Sequence, residues 1–257
     1  MIRQIITAFS MYSAIPMPQI EWSEKNRRYA LCFFPLVGVV IGAAEYALIR
    51  LCAAFDMPLL FAALAVSLPV LITGGIHLDG YCDVYDALSS CAPAEKALEI
   101  MHDPRIGAFA AIRLGIYLLV QAALFASVYT SDEKVITVVC TGFVMSRALS
   151  ASAAYTFPSA GKGMLHSFTG SEDGKRRICA VLMVLLAVLC AAGMIYISLP
   201  SGIAAVIGAG AALIRYRLTS VKRFGGINGD MAGWFLQICE IYILFGAYIG
   251  YAVGGRL

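Results

Sequence analysis

The sequence contains six apolar stretches that are each long enough to cross a membrane as an α-helix. They cover about residues 31–53, 57–75, 107–130, 135–156, 178–200 and 231–253. A helix of 23 residues rises roughly 34 Å, which exceeds the ~30 Å hydrocarbon core of a bilayer. Hydrophobic residues make up 60% of the chain and charged residues only 14%, so most of this apolar surface must face lipid. The sequence therefore predicts an all-α, polytopic membrane helical bundle that forms a single domain over residues 1–257.

A shorter apolar stretch at 201–214 decides between six and seven transmembrane helices. If it crosses, one face of the membrane holds the N-terminal segment 1–30, which we interpret as interfacial, and the loops 76–106, 157–177 and 215–230. That face then carries fourteen Lys and Arg residues, and the opposite face carries three. Because Lys and Arg are enriched in cytoplasmic loops, the count favours seven crossings and places these loops in the cytoplasm.

Charge and cysteine content limit the classes of function. The formal net charge of +3 is too small to indicate a nucleic-acid partner. The eight cysteines are scattered without a CxxC pair, so they indicate neither a zinc site nor a disulfide framework. All three histidines and eleven of the sixteen acidic residues fall on the predicted cytoplasmic face, seven of them in the segments 79–86 and 95–103 and at position 230. This concentration is what a membrane enzyme with a water-soluble substrate group requires.

The first candidate motif runs from Gly74 to Asp86, after the second apolar stretch. If the segment behind its glycine pair is helical, Asp79, Asp83 and Asp86 share one face, because they recur at i, i+4 and i+7. Carboxylates about 6 Å apart repel by roughly 2–3 kcal/mol per pair at an effective dielectric constant of 20. A divalent cation with oxygen ligands would offset that cost. The alternative is a solvated acidic helix face, which the adjoining span and the glycine pair make less attractive.

The second motif, from Glu99 to Gly107, gathers a carboxylate, an imidazole and a guanidinium immediately before a span. These groups belong to Asp103, His102 and Arg105. A proline follows Asp103 and should end the preceding helix, so the three side chains would lie at a helix end. The alternative is a juxtamembrane anchor, which would suit Arg105 but not Asp103.

The third motif, from Phe224 to Asp230, repeats the Gly-Gly-Ile order of the first and again places an aspartate at a membrane boundary. Its glycines permit positive φ and would expose backbone N–H groups to a phosphate, although a glycine turn between two spans is the simpler reading. Two basic loops, at 159–164 and 215–223, offer cations for phosphate oxygens. The positive-inside rule alone accounts for most of these charges.

Four charged residues fall inside predicted spans, where a charge needs a partner: Glu45, Arg113, Arg147 and Glu240. We expect Arg147 to pair with Glu240, because both lie about ten residues from the cytoplasmic ends of their spans. Clustered aspartates, glycine turns and basic loops on one face are also the components of Mg²⁺-dependent phosphoryl transfer. The chain contains no P-loop, HExxH or GxSxG motif.

The three motifs resemble the signature blocks of the cobalamin synthase family. The resemblance rests on the segments 74–86, 97–107 and 225–230, together with Ile15-Pro16-Met17-Pro18 and Arg147, and it runs nearly end to end. It implies a Mg²⁺-dependent enzyme of the prokaryotic cell membrane that acts late in B12 assembly. Such an enzyme transfers the adenosylcobinamide phosphate moiety of adenosylcobinamide-GDP to α-ribazole, or to its 5′-phosphate, and releases GMP.

The motifs and the resemblance together lead to predicted site residues. The predicted metal ligands are Asp79, Asp83, Asp86, Asp103 and Asp230. The predicted catalytic residues, with a histidine orienting or deprotonating the nucleophile, are His77, Asp83, His102 and Asp103. The predicted substrate contacts are Gly74, Gly75, Arg105, Lys162, Gly225, Gly226 and Asn228.

Three other classes of membrane protein share part of this pattern. A CDP-alcohol phosphotransferase would carry an Asp-Gly-x-x-Ala-Arg run, which this chain lacks. A membrane prenyltransferase would favour NDxxD-like spacing and aromatic walls for an isoprenoid. A transporter would place its acidic residues near the bilayer midplane, whereas most acidic residues here cluster at the boundary. The sequence is compatible with a homo-oligomer, and with either α-ribazole or its 5′-phosphate as the acceptor.

Overall fold

The computed structural model of this chain describes residues 2–20, 24–160 and 173–255. These residues form ten helices without a β-strand, and an isolated parallel bridge joins Ser159 to Ile227. The helices are α1 (Ile2–Tyr12), α2 (Glu24–Ala54), α3 (Pro58–Thr73), α4 (Ile76–Ser89), α5 (Ala94–Met101), α6 (Ala108–Tyr129), α7 (Glu133–Thr156), α8 (Asp173–Ile197), α9 (Leu199–Phe224) and α10 (Gly229–Gly254). The prediction of an all-α bundle is confirmed.

Six of the described helices are long and apolar enough to cross a membrane, namely α2, α6, α7, α8, α9 and α10. Helix α3 has only 16 residues and passes the same test only together with α4, to which it is bent by 96°. Because α4 runs nearly perpendicular to α3 and carries three aspartates, we treat α3 as a seventh crossing and α4 as lying outside the spans. Six or seven transmembrane helices were predicted, and the structure agrees.

The segment 215–230 differs from its prediction as a loop. Helix α9 begins at Leu199 and continues without a break to Phe224, so only residues 225–228 connect it to α10. The apolar stretch 201–214 was therefore the apolar part of a longer helix whose last residues, 215–224, are more polar. Lys222 and Arg223 lie in its last turn, where positive charge complements the negative end of the helix dipole. Similarly, α4 and α5 occupy most of the predicted loop 76–106.

Two further predicted segments are described only in part. Helix α1 packs against α2 and buries Thr7, Ala8 and Phe9, while the interfacial position of residues 1–30 stays a prediction. The connection between α7 and α8 falls largely at residues 161–172, outside the described residues. The predicted phosphate contact Lys162 lies there too.

The centre of the bundle is built on α7 and α10, the two most buried of the candidate spans. Arg147 of α7 donates from Nη1 to Oε1 of Glu240 of α10 at 2.7 Å, with side-chain exposures of 1% and 5%. The Ser146 hydroxyl donates to the same carboxylate at 3.2 Å, and Arg147 also donates to the Phe143 carbonyl at 2.9 Å. The predicted intramembrane ion pair is thus confirmed. All eight cysteines are free.

Candidate active site

The α3–α4 turn depends on two consecutive glycines. Gly74 and Gly75 have φ angles of 66° and 81°, in the left-handed region that side chains with a Cβ rarely adopt. The Gly75 carbonyl then accepts from the N–H groups of Leu78 and Asp79 at 2.9 Å, which starts α4 at once in its new direction. The sharp turn therefore lays the aspartate face of α4 across the end of the bundle.

A close approach of two helix backbones brings the first and third motifs together where α4 crosses α10. A Cβ atom at Gly80 would lie 2.6 Å from the carbonyl oxygen of Asp230. Likewise, a Cβ atom at Gly233 would lie 3.1 Å from the backbone of His77. A side chain at Gly80 would force the two helices apart, and one at Gly233 would be tighter than most Cβ contacts. Sequence reasoning missed both roles, although a glycine directly after Asp79 in a helical motif was a usable signal.

A cavity of about 290 Å³ lies at this crossing and collects aspartates from all three motifs. Asp79 and Asp83 reach it from α4, and Asp230 reaches it from the first turn of α10. The second motif supplies the rest of the wall, with contributions from Met101, His102, Asp103, Pro104, Arg105 and Ile106. The structure thus brings all three motifs to one site.

Asp83 is the aspartate whose ionisation the cavity perturbs most clearly. Burial, together with the negative charges of Asp79 and Asp230, raises the pKa of Asp83 to about 7. The charge of His102 acts in the opposite direction. A carboxyl group that ionises near neutral pH is suited to proton transfer and, once ionised, to binding a cation.

Asp86 does not line this cavity, although it shares the helix face with Asp79 and Asp83. One of its oxygens accepts from the backbone N–H of Gly107 at 2.5 Å, and the other from the N–H of Ala110 at 3.1 Å. These N–H groups belong to the start of α6, where a helix has unpaired donors. The carboxylate therefore anchors α6 to α4, a role that its spacing in the sequence did not reveal.

The two histidines that were predicted as catalytic differ in position. His102 is exposed, lines the cavity and is close enough to influence the pKa of Asp83. His77 is 5% exposed, does not line the cavity, and packs edge-on against Phe34 with ring centres 5.7 Å apart. The arrangement therefore favours His102 as the group that could meet a substrate.

Asp103 and Arg105 form a close pair at the cavity rim. Arg105 donates from Nε to Oδ1 of Asp103 at 3.0 Å and from Nη2 to Oδ2 at 2.8 Å, and its backbone N–H adds a third bond at 3.0 Å. These hydrogen bonds lower the pKa of Asp103 to about 2. Asp103 is thus a stable carboxylate that orients the guanidinium, while Nη1 of Arg105 is not used in the pair.

Two glycines of the third motif, Gly225 and Gly226, form the C-terminal cap of α9. The N–H groups of Gly225 and Gly226 donate to the carbonyls of Val221 and Ser220, both at 3.1 Å, and so close the end of α9. These two N–H groups are therefore already used within the protein, and a substrate contact of either glycine stays a prediction. Asn228 caps α10 by accepting from the N–H of Met231 at 2.9 Å.

The side-chain amide of Asn228 has a second contact that bears on the site. Its Nδ2 donates to Oδ2 of Asp230 at 3.3 Å and approaches the Met101 sulfur at 3.2 Å. Asn228 thus orients an aspartate of the cavity and ties the third motif to the second. This is a positioning role, where a substrate contact was predicted.

A wider cavity of about 540 Å³ adjoins the first one and shares Asp79 and Cys82 with it. Gly74 and Gly75 form part of its wall, and its apolar lining comes from Ile76, Leu78 and Leu114. The glycine pair therefore lies where a substrate in this space would contact backbone. The two adjoining cavities offer a polar compartment beside a more apolar one.

Known proteins provide an independent comparison. Residues 4–248 match the family described as cobalamin-5-phosphate synthase. An adenosylcobinamide-GDP ribazoletransferase from Lachnoclostridium phytofermentans is 41% identical over 236 residues, which cover 91% of this chain and 88% of the relative. Proteins with the same name from Listeria monocytogenes and Clostridium perfringens are 34% and 30% identical, over 95% and 93% of this chain and 96% and 94% of theirs. No solved structure matches the chain. With the match extending over nearly all of its length, this chain belongs to the cobalamin-5-phosphate synthase family.

Proposed function

We propose that this chain transfers the adenosylcobinamide phosphate moiety of adenosylcobinamide-GDP to α-ribazole, or to its 5′-phosphate, and releases GMP. The supporting observation is the convergence of Asp79, Asp83 and Asp230 on one cavity, with His102 and Arg105 at its wall. Relatives that cover almost the whole chain carry the name of this activity. A diphosphate substrate needs both features, an acidic cavity that can hold a cation and a basic rim.

The donor set of the cavity fits Mg²⁺ that is bound together with a diphosphate. Among the described residues, no group of three or more His, Cys, Asp or Glu side chains is arranged to hold a metal ion by itself. Mg²⁺ rarely requires such a cage, because it keeps several waters and is usually bound through one or two carboxylates and substrate phosphates. We therefore assign Asp79, Asp83 and Asp230 as carboxylates available to the ion. When bound, Mg²⁺ neutralises charge on the diphosphate oxygens.

The reaction exchanges a phosphoanhydride bond for a phosphoester bond at a single phosphorus. A ribose hydroxyl of the acceptor attacks the phosphorus on the cobinamide side of the diphosphate. The new oxygen–phosphorus bond forms as the bond to the bridging oxygen breaks, and GMP leaves with that oxygen. We assign His102 as the base that accepts the proton of the attacking hydroxyl, because its side chain is exposed in the cavity that Asp83 also lines. Arg105, already oriented by Asp103, has Nη1 available for a phosphate oxygen.

We also propose that the site faces the cytoplasm. With α3 and α9 both crossing, the site and the segments 1–30, 157–177 and 215–230 lie on the same side. That side carries fourteen of the chain's Lys and Arg residues against three on the other. The water-soluble substrates would then reach the cavity without crossing the bilayer.

The deciding experiment measures GMP release by the purified chain with adenosylcobinamide-GDP, α-ribazole and Mg²⁺. We expect Asp83→Asn to abolish turnover without affecting membrane insertion, since the amide keeps the size of the side chain but cannot carry the negative charge. A matched control is Asp56→Asn, an exposed aspartate between α2 and α3 on the opposite side of the bundle. Near-normal turnover in Asp83→Asn would refute the metal assignment, and no GMP from the unmodified chain would refute the proposed function.

A further inference from the structure

Two arginines outside the candidate active site converge on the Tyr85 side chain from different helices. Arg113 of α6 places its guanidinium carbon 4.6 Å from the centre of the Tyr85 ring. Arg215 of α9 donates from Nη2 to the Tyr85 hydroxyl at 3.1 Å and from Nη1 to the Tyr242 hydroxyl at 2.8 Å. The same guanidinium lies 5.6 Å from the centre of the Trp234 ring. Aromatic side chains thus hold both cations in fixed places.

The described residues offer these two cations no anion. Neither Arg113 nor Arg215 is within ion-pair distance of a carboxylate in the part of the chain that the structure describes. Phenol oxygens and ring faces carry only partial negative charge, so they cannot neutralise two guanidinium groups. Two positive charges beside one side chain also repel each other. An anion between them would relieve both costs.

The depth of the pair matches the membrane boundary. Arg113 is the sixth residue of α6, roughly 8 Å along the axis from the helix start. Arg215 follows 16 residues of α9, about 24 Å of helix, and the more polar end of α9 follows it. Arg113 is exposed and Arg215 is half-buried, so a ligand can reach both.

The pair is separate from the aspartate cavity. Tyr85 follows Asp83 by two positions in α4, which is about 200° around the helix axis. Accordingly, neither Tyr85 nor the two arginines line either of the two cavities of the active site. A ligand bound here would contact the opposite side of α4.

We propose that Arg113 and Arg215 bind a phosphate group between them, at a second site on the far side of α4. Guanidinium groups present forked donors that match phosphate oxygens, and their contacts with Tyr85 hold them in place before a ligand arrives. At this depth the phosphate can come from the headgroup of an anionic phospholipid or from a phosphate ester in solution.

The test follows thermal unfolding of the purified full-length chain in dodecylmaltoside. Separate titrations use inorganic phosphate, dioctanoyl phosphatidylglycerol and the phosphate-free dioctanoylglycerol. We expect a saturable rise in Tm with at least one of the two phosphate probes and none with dioctanoylglycerol, because a ligand that binds only the folded state stabilises it. A rise with phosphatidylglycerol alone identifies a lipid site, and a rise with inorganic phosphate identifies a site for the phosphate group itself. No rise with either phosphate probe overturns the proposal.

Substitution of the two arginines tests whether the rise in Tm comes from binding at this site. Arg113→Gln and Arg215→Gln should each weaken the apparent Kd at least about tenfold, the loss typical of a hydrogen bond to a charged group. The matched control is Arg217→Gln, because Arg217 is on the same helix but stacks on Phe157, 5.6 Å from the ring centre. An unchanged Kd in the double arginine variant overturns the proposal.

A more conservative variant tests the site in case the arginine variants fail to fold. Tyr85→Phe keeps the ring under Arg113 and removes only the hydroxyl that Arg215 holds, so it should weaken the Kd by less than either arginine variant. The same Kd as the unmodified chain would show that Tyr85 does not organise the site. None of these readouts requires turnover, so they stand apart from the proposed enzyme activity.

Discussion

Removing one partner of the Arg147–Glu240 ion pair should destabilise the bundle more than removing both. The two charged atoms lie 2.7 Å apart, and the side chains are 1% and 5% exposed. Breaking such a buried pair typically costs about 3–5 kcal/mol, whereas replacing both partners with apolar residues is often neutral or stabilising. Glu240→Leu should fall at the upper end of that range, because an arginine cannot lose its proton. Arg147→Met should cost less, because the remaining Glu240 can take up a proton.

The assay is the free energy of unfolding in mild detergent for both single variants and for the Arg147→Met/Glu240→Leu double variant. We expect the double variant to be closer to the unmodified chain than Glu240→Leu is. Glu45→Gln is the matched control, because Glu45 is equally buried but its oxygens have no hydrogen-bond partner among the described residues. A double variant as unstable as Glu240→Leu would refute the reasoning, since the loss would then come from packing and not from an unpaired charge.

Three further predictions concern the candidate active site. Because the pKa of Asp83 is about 7 in the folded chain, against an ordinary value of 3.8, the metal-free protein should lose stability as the pH rises through this interval and the carboxyl ionises. MgCl₂ should therefore raise Tm more at pH 8 than at pH 5, and equal shifts would contradict this. His102→Gln should slow GMP release by at least about 100-fold, while His77→Gln should mainly lower Tm; the reverse pattern would reassign the two histidines. Cys91 is exposed between α4 and α5, so a membrane-impermeant maleimide should label it in inside-out vesicles and not in intact cells. Cys91→Ser is the control for this labelling, and Cys91-dependent labelling of intact cells would place the site outside.

The sequence predicted those features that a local rule governs. The helical spacing of Asp79 and Asp83 correctly put them on one face, and the cost of isolated charge in lipid correctly paired Arg147 with Glu240. Asp230 could be predicted to face the same cavity because the third motif repeats the first at the same membrane boundary. Each of these inferences needed only helical periodicity, the cost of burying a charge, or the repetition of a motif.

What the sequence could not predict depends on contacts between distant segments. Asp86 has the same spacing as its neighbours, yet it is used to cap α6, whose start lies 21 residues further along the chain. Gly225 and Gly226 look like a phosphate loop, but their donors close α9. The length of helix α9 was underestimated because hydropathy marks only its apolar part, and the helix continues through the more polar residues 215–224.

The intramembrane ion pair also bears on the site, because α10 carries both Glu240 and Asp230. Ten residues separate them, about 15 Å of helix, so the pair with Arg147 limits how far α10 can slide along the membrane normal. The contact of Gly80 with the Asp230 backbone then limits sideways movement at the cavity. An apolar double variant that restores stability still removes the first restraint and keeps the second. Its rate of GMP release therefore measures how much the depth of α10 contributes to placing Asp230, independently of how well the bundle folds.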